Sequence, residues 1–596
     1  MKPLLQLLNN IISNAHRTNV IQFFPFINSL KVYRPQYIKD DLKSAINVAL
    51  IAFPQGMAYA LVAGLPIHYG IISSAVASIA CVLFAQSNLI TFGPTNATAV
   101  MLFTTFASLA LPEEQKLEYL SVLILLTGTF ILIGAYFRTA DLIKYVSRSV
   151  ITGYITAAAF FIIINQLPNI FQLQIGQFQG DFLGLISLIL QNLPQLHLPT
   201  FLLSILTLVT YILLNLKFKK LPNIAIVLVL ISLISFCLKG KLYGISYLPK
   251  IDHSFLSFSF PSISYESIQM LTKTSIAIAL LCILEGISIG KSLAIKKGDL
   301  LNNDQAMYSI GMANIACSFF SGMPASGSLT RSTLNFHSNS QTVFSSLFCG
   351  IFLLIGIFLL GSLTQFIPIC ALSVLVVIIG LSLLNKHAIR IATQTTGSDA
   401  IVFLVTLFSG LYFSLDSAIY YGVGVSILLF LKKVAKPELK EYSFNHKGDL
   451  LESPKSERRI PEVSIVHVEG ELFFGAADLF REQMRRIYEE PQLKIVILKM
   501  RNAYHMDASS VMALDELVKH MNHLGRYLIL SEVREDLLRV LNNSGVSAYI
   551  ELRNIFLDNA SNPTLSTARA LKRAKEHLGE TDPNVSIYID LKNTNS

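Results

Sequence analysis

Two ionisable side chains stand inside long apolar stretches of this sequence. Arg331 lies in SGMPASGSLTRSTLN, residues 321–335, and Glu285 lies in LLCILEGISIGKSLA. A charged group is costly within a bilayer, and those found there commonly mark a functional site. The pair therefore predicts an anion-binding site in which Arg331 supplies positive charge and Glu285 can take up a proton. The structural alternative is that Arg331 serves only as a counter-ion to Glu285.

Two short apolar segments begin at prolines and offer further positive charge. One starts at Pro94 and the other at Pro324. A helix start has unpaired backbone N–H groups and carries roughly half a positive charge. If the two starts meet near the middle of a membrane, they and Arg331 sum to about +2, which suits a divalent oxyanion. Ionised Glu285 would lower the sum, so its protonation and anion binding should favour each other.

Other polar residues lie near these landmarks. Gln55 and Tyr59, in FPQGMAYALVAGLP, either contact a bound anion or pack between helices. Thr95, Asn96 and Thr98 could cap the helix that follows Pro94, and that role is compatible with anion binding.

The composition is typical of a polytopic membrane protein, with 52% hydrophobic and 14% charged residues and a mean hydropathy of +0.54. The net charge of +9 does not indicate nucleic acid, because many basic residues end apolar segments, as the positive-inside rule predicts. The six cysteines lack CxxC spacing, and no cleavable signal is recognisable at the N-terminus. We therefore expect no metal, cofactor or nucleic-acid partner.

Apolar segments of membrane length follow one another from residue 44 to residue 432. We count fourteen, and most loops alternate in their content of Lys and Arg, which predicts that both termini are cytoplasmic. The expected segments are 44–62, 69–86, 95–110, 117–137, 147–168, 198–216, 222–238, 272–291, 306–320, 326–337, 341–361, 367–385, 398–414 and 416–432.

The spacing of the polar landmarks repeats along the chain. Gln55 precedes Pro94 by 39 residues, and Glu285 precedes Pro324 by 39 residues, so both pairs share an offset of 230. Interrupted segments at matching places in two halves are typical of transporters built as inverted repeats. The spacing predicts two such halves.

Beyond residue 432 the composition becomes that of a soluble domain. We expect a cytoplasmic N-terminal segment at 1–43, a membrane domain at 44–432, a polar linker at 433–460, an α/β domain at 461–580 and a disordered tail at 581–596. Within the α/β domain the patterns predict strands at 463–470, 493–500 and 526–533, and helices at 476–490, 508–525, 535–542 and 565–577.

These motifs together resemble the sulfate permease (SulP) family of anion transporters, which carry a C-terminal STAS domain. The likeness spans nearly the whole chain and is carried by PQGMAYALVAGLP, GPTNATAV, EGISIGKSLA and GMANIACSFFSGMPASGSLTRSTLN. It is similar in particular to plant-type proton-coupled sulfate transporters. The resemblance implies an all-α polytopic membrane domain of seven plus seven inverted helices, with core and gate parts, followed by a cytoplasmic α/β STAS domain. It also implies a homodimer in the cell membrane and elevator-like motion.

The resemblance further assigns roles to individual residues. Glu285 matches the position linked with proton coupling, whereas Ile289, one turn later, replaces the hydroxyl of sodium-dependent members. H⁺ is thus favoured over Na⁺ as the coupling ion. The implied substrate contacts are Gln55, Tyr59, Asn96, Ala97, Thr98, Ser328 and Arg331.

Two departures from the family pattern concern loops. The Asn-Gln-Glu-Leu signature appears as Asp304-Gln305-Ala306-Met307, without its glutamate, and the glycine-rich turn after the tenth segment reads HSNSQT, residues 337–342. These changes bear on the gating loops more than on the substrate site.

The STAS domain has its own candidate site at Met506-Asp507-Ala508-Ser509-Ser510. Relatives that regulate sigma factors are phosphorylated on a serine of this loop, so Ser509 and Ser510 are candidate regulatory residues for a cytoplasmic partner. Asp507 and Ser509 could instead only cap the following helix. Ala508 breaks the usual Asp-Ser-Ser pattern.

The sequence thus predicts secondary active transport of sulfate across a lipid bilayer, coupled to protons. Transport or exchange of bicarbonate, chloride or dicarboxylates, and a channel-like or motor activity, are the alternatives, because one arginine and two helix ends attract any of these anions. An enzyme is disfavoured, since neither part of the sequence shows a nucleophile–base set or a metal-ligand cluster.

Overall fold

The computed structural model describes residues 21–109, 111–140, 147–174, 182–218, 222–251, 258–413, 415–434, 438–444, 450–452, 462–472, 477–485 except 479 and 483, 491–504, 506–559 and 565–579. The chain divides into two compact units, residues 1–426 and 427–596. The first unit is almost entirely helical, and the second is built on a mixed six-stranded sheet.

The first half of the helical unit runs from α1 to α9. Its elements are α1 (Phe26–Val32), α2 (Ile38–Val62), α3 (Ile67–Phe84), β1 (Phe92–Gly93), α4 (Asn96–Leu109), α5 (Glu113–Tyr136), α6 (Arg148–Phe171), α7 (Phe182–Asn192), α8 (Leu198–Lys217) and α9 (Asn223–Cys237).

The second half continues from α10 to α17. Its elements are α10 (Tyr265–Lys297), α11 (Asn303–Ser318), β2 (Ser326–Gly327), α12 (Leu329–His337), α13 (Phe344–Leu360), α14 (Ile369–Leu383), α15 (Lys386–Gln394), α16 (Gly397–Tyr412) and α17 (Leu415–Val434).

Each segment expected from the sequence coincides with one of these helices. Eight helical stretches of the described chain are long and apolar enough to cross a membrane. The structure adds α1, α7 and α15, which the sequence did not predict, because helices of 7, 11 and 9 residues are shorter than a membrane span.

Helices of each half pack against helices of the other half. Helix α5 packs against α10 and α11 of the second half, and α13 packs against α2 and α3 of the first. Strands β1 and β2, one from each half, pair antiparallel. This reciprocity is what two inverted halves produce.

The helices form two packing groups. Helices α2–α5 and α10–α13 contact mainly one another, and we call them the core group; α6–α9 and α14–α16 do likewise and form the gate group. Contacts between the groups are made chiefly by α2 and α4. These two helices also carry Gln55 and Asn96.

A glycine contact fixes the position of α2 beside its neighbour. A Cβ atom added to Gly56 would lie 2.9 Å from the Gly70 carbonyl of α3, so the two backbones touch where Gly56 follows Gln55. Pro54, one residue earlier, removes a backbone donor from the middle of α2. The sequence FPQG thereby fixes the position from which the Gln55 side chain projects from α2.

The second unit contains a sheet with strand order β4-β3-β5-β6-β7-β8, in which β5 to β8 run parallel. Buried apolar residues of β5, β6 and β7 form cores on both faces. The elements are β3 (Glu438–Phe444), β4 (Leu450–Glu452), β5 (Val463–Glu471), β6 (Ile495–Tyr504), α18 (Ala508–His523), β7 (Tyr527–Val533), α19 (Glu535–Ser544), α20 (Val546–Ile550), β8 (Ile555–Leu557) and α21 (Leu565–His577).

Strands β3 and β4 lie within residues 433–460, which were predicted from the sequence to be a polar linker. The sequence did not predict them, because β4 has only three residues and β3 has three charged residues among its seven. Most of the predicted helix 476–490 and the whole tail 581–596 lie outside the described residues.

Candidate functional site

The two interrupted helices start side by side. Phe92 pairs with Gly327, and Gly93 pairs with Ser326, so β1 and β2 hold the starts of α4 and α12 together. The Ser328 N–H also donates to the Thr91 carbonyl oxygen at 3.0 Å. Backbone hydrogen bonds thus join two parts of the chain that are more than two hundred residues apart.

Both helix starts present unpaired backbone donors. Within the described part of the chain, no protein acceptor takes the N–H groups of Asn96 and Ala97 in α4, or those of Leu329 and Thr330 in α12. Two pairs of N–H groups at adjacent helix starts form a favourable environment for an anion.

The residues that match between the halves differ from those expected. Pro324 precedes β2 rather than α12, which begins five residues later at Leu329. The equivalent positions are the two N-caps, Thr95 and Ser328, which are 233 residues apart. The offset of 230 between the prolines therefore does not describe the helix starts, because a strand intervenes after Pro324 only.

Arg331 lies at this junction and is the largest fully buried side chain among the described residues, with 1% exposure. Its Nη1 donates to the Ser74 hydroxyl at 3.2 Å, and its Nη2 donates to the Pro94 carbonyl oxygen. Its Nε is buried and has no partner in the described part of the chain. The guanidinium is therefore held by α3 and by the chain before α4, and its Nε–H remains unused.

Arg331 and Glu285 do not form an ion pair. In the described residues Arg331 contacts Ser74 and Pro94, while Glu285 accepts a hydrogen bond from Thr95. The structure therefore lacks the direct contact that the structural alternative, in which Arg331 only neutralises Glu285, would require. The positive charge of Arg331 is left without a carboxylate at hydrogen-bond distance.

Thr95 and Thr98 cap α4 reciprocally. The Thr98 N–H donates to Thr95 Oγ1 at 3.3 Å, and the Thr95 N–H donates to Thr98 Oγ1 at 3.0 Å. The Thr98 hydroxyl in turn donates to the Thr95 carbonyl oxygen. Thr98 thus fixes the helix start, and its hydroxyl is committed to that role.

Glu285 is connected to the same cap. Thr95 Oγ1 donates to Glu285 Oε2 at 3.0 Å, joining the middle of α10 to the start of α4. A single hydroxyl therefore links the protonatable group to the helix that presents Asn96 and Ala97. The sequence predicts Thr95 as a cap compatible with anion binding, but no local pattern indicates its contact with Glu285, 190 residues away.

Gln55 and Tyr59 lie on one face of α2, a helix that packs against both α4 and α12. Tyr59 is buried, with 4% exposure. Among the described residues, no donor reaches the buried Gln55 Oε1 and Asn96 Oδ1 atoms. They lie on two helices that contact each other, and buried polar atoms usually have a hydrogen-bond partner, so both are candidates for contact with a bound molecule.

Ser328 and Ala97 complete the predicted set. The Ser328 oxygen accepts from the Arg331 N–H at 3.5 Å, and its own hydrogen has no acceptor among the described residues. The Ala97 carbonyl oxygen accepts from the Tyr154 hydroxyl of α6 at 3.1 Å. Tyr154 was missed, since a tyrosine in an apolar segment carries no signal of its own.

The first departure from the family pattern, Asp304-Gln305-Ala306-Met307, lies where the N-terminal segment contacts α11. The Gln305 side chain exchanges two hydrogen bonds with the Gln22 backbone, at 2.9 and 3.1 Å, and also donates to the Phe84 carbonyl oxygen. Loss of the family glutamate at Ala306 leaves this clamp intact.

The second departure, the turn HSNSQT at residues 337–342, is held by a carboxylate. Asp41, at the start of α2, accepts hydrogen bonds from the N–H groups of Gln341 and Thr342 at 2.8 and 3.1 Å. This contact gives the turn a fixed conformation without the expected glycines.

The STAS loop is arranged as a helix cap. Asp507 accepts a hydrogen bond from the Ser510 N–H at 2.9 Å and caps α18. Ser510 is 1% exposed, so a modifying enzyme could not reach it in this conformation, whereas Ser509 is half-buried. Of the two candidates, only Ser509 is presented toward solvent.

A search of the described residues finds no cluster of three or more His, Cys, Asp or Glu side chains that could hold a metal ion. Ile289, one turn beyond Glu285 on α10, is half-buried and offers no oxygen to a cation.

Comparisons with known proteins cover both units. Residues 38–406 match the model of the sulfate permease family, and residues 455–561 match that of the STAS domain. The probable sulfate transporter 4.2 of Arabidopsis thaliana is 28% identical over 88% of this chain and 80% of its own. The putative sulfate transporter YvdB of Bacillus subtilis is 22% identical over 85% and 93% of the two chains.

Solved structures share the fold at low identity. The murine Slc26a9 anion transporter in the inward-facing state aligns with a TM-score of 0.84 and 20% identity over 95% of this chain and 98% of its own. The membrane domain of the cyanobacterial bicarbonate transporter BicA aligns with a TM-score of 0.57 and 17% identity over 66% of this chain and 98% of its own. This multi-pass chain, with its α/β regulatory STAS domain, belongs to the sulfate permease family of anion transporters.

Proposed function

We propose that this protein is a proton-coupled transporter of sulfate. The observation that carries the proposal is the buried Arg331 guanidinium, which lies between two helix starts and has no carboxylate partner in the described chain. The two starts and the arginine sum to about +2, which a divalent anion would neutralise. The names of the sulfate-transporting relatives agree with this choice of substrate.

The donors for the anion come from both halves. We assign the N–H groups of Asn96 and Ala97 to one side and the Ser328 hydroxyl and Arg331 Nε to the other. Gln55 and Tyr59 of α2 would cover the anion from the side where the two packing groups meet. Thr98 contributes by fixing the start of α4 rather than through its hydroxyl.

Thr95 provides a route for proton coupling. When Glu285 is ionised, the Thr95 hydroxyl hydrogen points at its carboxylate. A protonated Glu285 can donate to the Thr95 oxygen instead, which frees the Thr95 hydrogen for the anion. Protonation would then remove one negative charge from the site and add one donor to it, so proton and anion binding would be cooperative.

The division into core and gate groups supports an elevator-like mechanism. The core group holds β1, β2, Arg331 and Glu285, while the gate group contacts it chiefly through α2 and α4. Displacement of the core group as a body would carry the anion past a gate group that stays in place. We further propose a homodimer in the cell membrane with both termini in the cytoplasm, where the STAS domain could meet a regulator.

Uptake of labelled sulfate by purified protein in vesicles tests the substrate site. We expect Arg331→Ala to lower uptake by about 10- to 150-fold, because a charge-assisted hydrogen bond contributes roughly 1.5–3 kcal/mol. Lys217→Ala, at the exposed end of α8, is the matched control and should transport like the parent. Parental uptake by Arg331→Ala would refute the proposed site.

A second experiment separates coupling from binding. Glu285→Gln should still exchange internal for external sulfate but should no longer accumulate it when a proton gradient is imposed. Accumulation by Glu285→Gln in response to that gradient would eliminate the proposed role of Glu285, while leaving the anion site itself standing.

Bicarbonate is the second candidate substrate. The Gln55 and Asn96 oxygens lack donors, and bicarbonate carries a hydroxyl that could donate to either, whereas sulfate has none to give. Competition with labelled sulfate at constant pH decides between them. If bicarbonate displaces sulfate at lower concentration than unlabelled sulfate does, the second candidate replaces the first.

A further inference from the structure

The segment that precedes α2 presents a row of exposed apolar side chains. Helix α1 has no buried residue. The side chains of five apolar residues in and beside it are all more than half exposed: Phe23, Phe24, Ile27, Leu30 and Val32. A contiguous apolar surface of this kind indicates contact with a partner or a membrane.

The contacts of this segment place it at the end of the membrane helices. The Phe24 ring lies 5.8 Å from that of Phe84, the last residue of α3. The Phe26 ring lies 5.7 Å from that of Phe344, the first residue of α13. The segment therefore lies where α3 ends and α13 begins, beside the ends of two helices that are long and apolar enough to cross a membrane.

The next helix shows the same boundary. Lys43 is exposed on α2, and Ile46 and Leu50, one and two turns further on, are 47% and 50% exposed. An exposed apolar stripe that begins one turn after a lysine is typical of a helix entering the hydrocarbon layer. Helix α1 ends six residues before α2 begins, so it remains close to this boundary.

The charges around the apolar row are predominantly positive. Lys31, Arg34, Lys39 and Lys43 are all exposed. Of the acidic residues nearby, Asp41 is buried in hydrogen bonds to the turn at Gln341, and Asp40 is half-buried. The exposed part of the segment thus combines apolar side chains with basic ones.

We propose that residues 23–43 dock on an anionic membrane surface. Helix α1 lies in the headgroup layer, its apolar side chains enter the acyl boundary, and the basic residues bind lipid phosphates. An amphipathic helix of this type buries its apolar face about 5–10 Å into the interface. Because the Gln305 clamp and the Phe84 and Phe344 contacts all belong to core helices, docking connects the core group to the lipid surface.

The chain contains no tryptophan, so a single introduced one reports on its surroundings alone. Phe24→Trp and Leu30→Trp would be reconstituted into phosphatidylcholine vesicles with and without phosphatidylglycerol. Lipids brominated near the headgroup end of the acyl chain quench a fluorophore at that depth. We expect blue-shifted emission and strong quenching at both positions in the phosphatidylglycerol membrane, and weaker quenching in phosphatidylcholine alone.

Two control variants bracket the result. Leu213→Trp, exposed in the last turns of the membrane helix α8, should be quenched in both membranes, and Met512→Trp, exposed in the STAS domain, should be quenched in neither. If Phe24→Trp and Leu30→Trp emit and quench like Met512→Trp, the docking proposal is overturned. Equal quenching with and without phosphatidylglycerol would overturn the recognition of anionic lipid.

Charge reversal supplies an independent test. The double change Lys31→Glu and Arg34→Glu is made in the Phe24→Trp background. It should weaken the binding of residues 23–43 to phosphatidylglycerol membranes by about fivefold for each basic charge lost, which is seen as reduced quenching. Sulfate uptake measured alongside shows that the variant is folded. Unchanged quenching in a transporting variant would contradict the proposal.

Discussion

The Tyr154 hydroxyl of the gate group donates a hydrogen bond to the Ala97 carbonyl oxygen of the core group, 3.1 Å away. Both residues are buried, with exposures of 1% and 5%. The bond joins α6 to the first turn of α4, the helix whose start is proposed to bind the anion. It therefore acts directly at the boundary between the two packing groups.

Loss of this bond should change how easily the groups separate. We expect Tyr154→Phe to favour separation by about 0.5–1.5 kcal/mol and to raise the rate of sulfate exchange by up to about tenfold. Tyr211→Phe, on the half-buried surface of α8, is the control with an unchanged rate. An exchange rate equal to the parent's in Tyr154→Phe would mean that the bond does not restrain the motion.

Gly93 should tolerate no side chain. A Cβ atom at this position would overlap Arg331 Nη1 and lie 2.9 Å from its Cζ. Gly93→Ala should displace the guanidinium, at a cost of about 1–3 kcal/mol, and lower sulfate uptake at least tenfold. Gly424→Ala, where no atom lies within 4 Å, should leave uptake intact. Normal uptake by Gly93→Ala would show that the position of Arg331 is not critical.

Thr95 should set the pH dependence of sulfate binding. Thr95→Val removes both the bond to Glu285 and part of the α4 cap, whereas Thr95→Ser keeps both. We expect sulfate affinity to vary less with pH in the valine variant and as in the parent in the serine variant. Affinity measured across pH in vesicles checks this. An unchanged pH profile for Thr95→Val would exclude Thr95 from the coupling route.

The STAS domain contains a buried ion pair. Lys499 Nζ lies 3.3 Å from Glu532 Oε1, and the Thr567 hydroxyl donates to the same carboxylate. Lys499→Met would leave a buried charge unpaired and should destabilise the domain by about 3–5 kcal/mol. Hydrogen exchange of the β6 and β7 amides in the full-length protein measures the loss.

The exposed pair of Lys519 and Asp515 serves as the control for that experiment. Lys519→Met should leave these exchange rates close to those of the parent, because a surface pair within one helix contributes little. Equal exchange rates in the Lys499 and Lys519 variants would show that the buried pair is not needed for stability.

Part of the candidate site could be proposed from the sequence because its chemistry is rare in a membrane. Arg331 and Glu285 were identifiable as charges in apolar sequence, Gln55 and Tyr59 as polar residues, and the family resemblance added Ser328. Ser74 could not be identified in this way, since it is one of several small residues on α3 and its contact to Arg331 spans 257 residues. Its role depends on packing, which no local pattern encodes.

The repeat was predicted correctly in kind and misaligned in detail. Prolines are conspicuous, so Pro94 and Pro324 suggested the equivalence, whereas the N-caps Thr95 and Ser328 define it. In the STAS domain, the apolar strands β5, β6 and β7 were recognisable. Strands β3, β4 and β8 were not, because short or partly charged strands gain their stability from pairing with neighbours.

The pairing of β1 with β2 restricts how the site can open. Four residues bond the starts of α4 and α12 to each other, so the two helices cannot part like jaws without breaking backbone hydrogen bonds. The two paired strands therefore hold the helix starts together as one unit. Under the proposed displacement of the core group both strands move with the anion, so a cross-link between them should leave sulfate turnover intact.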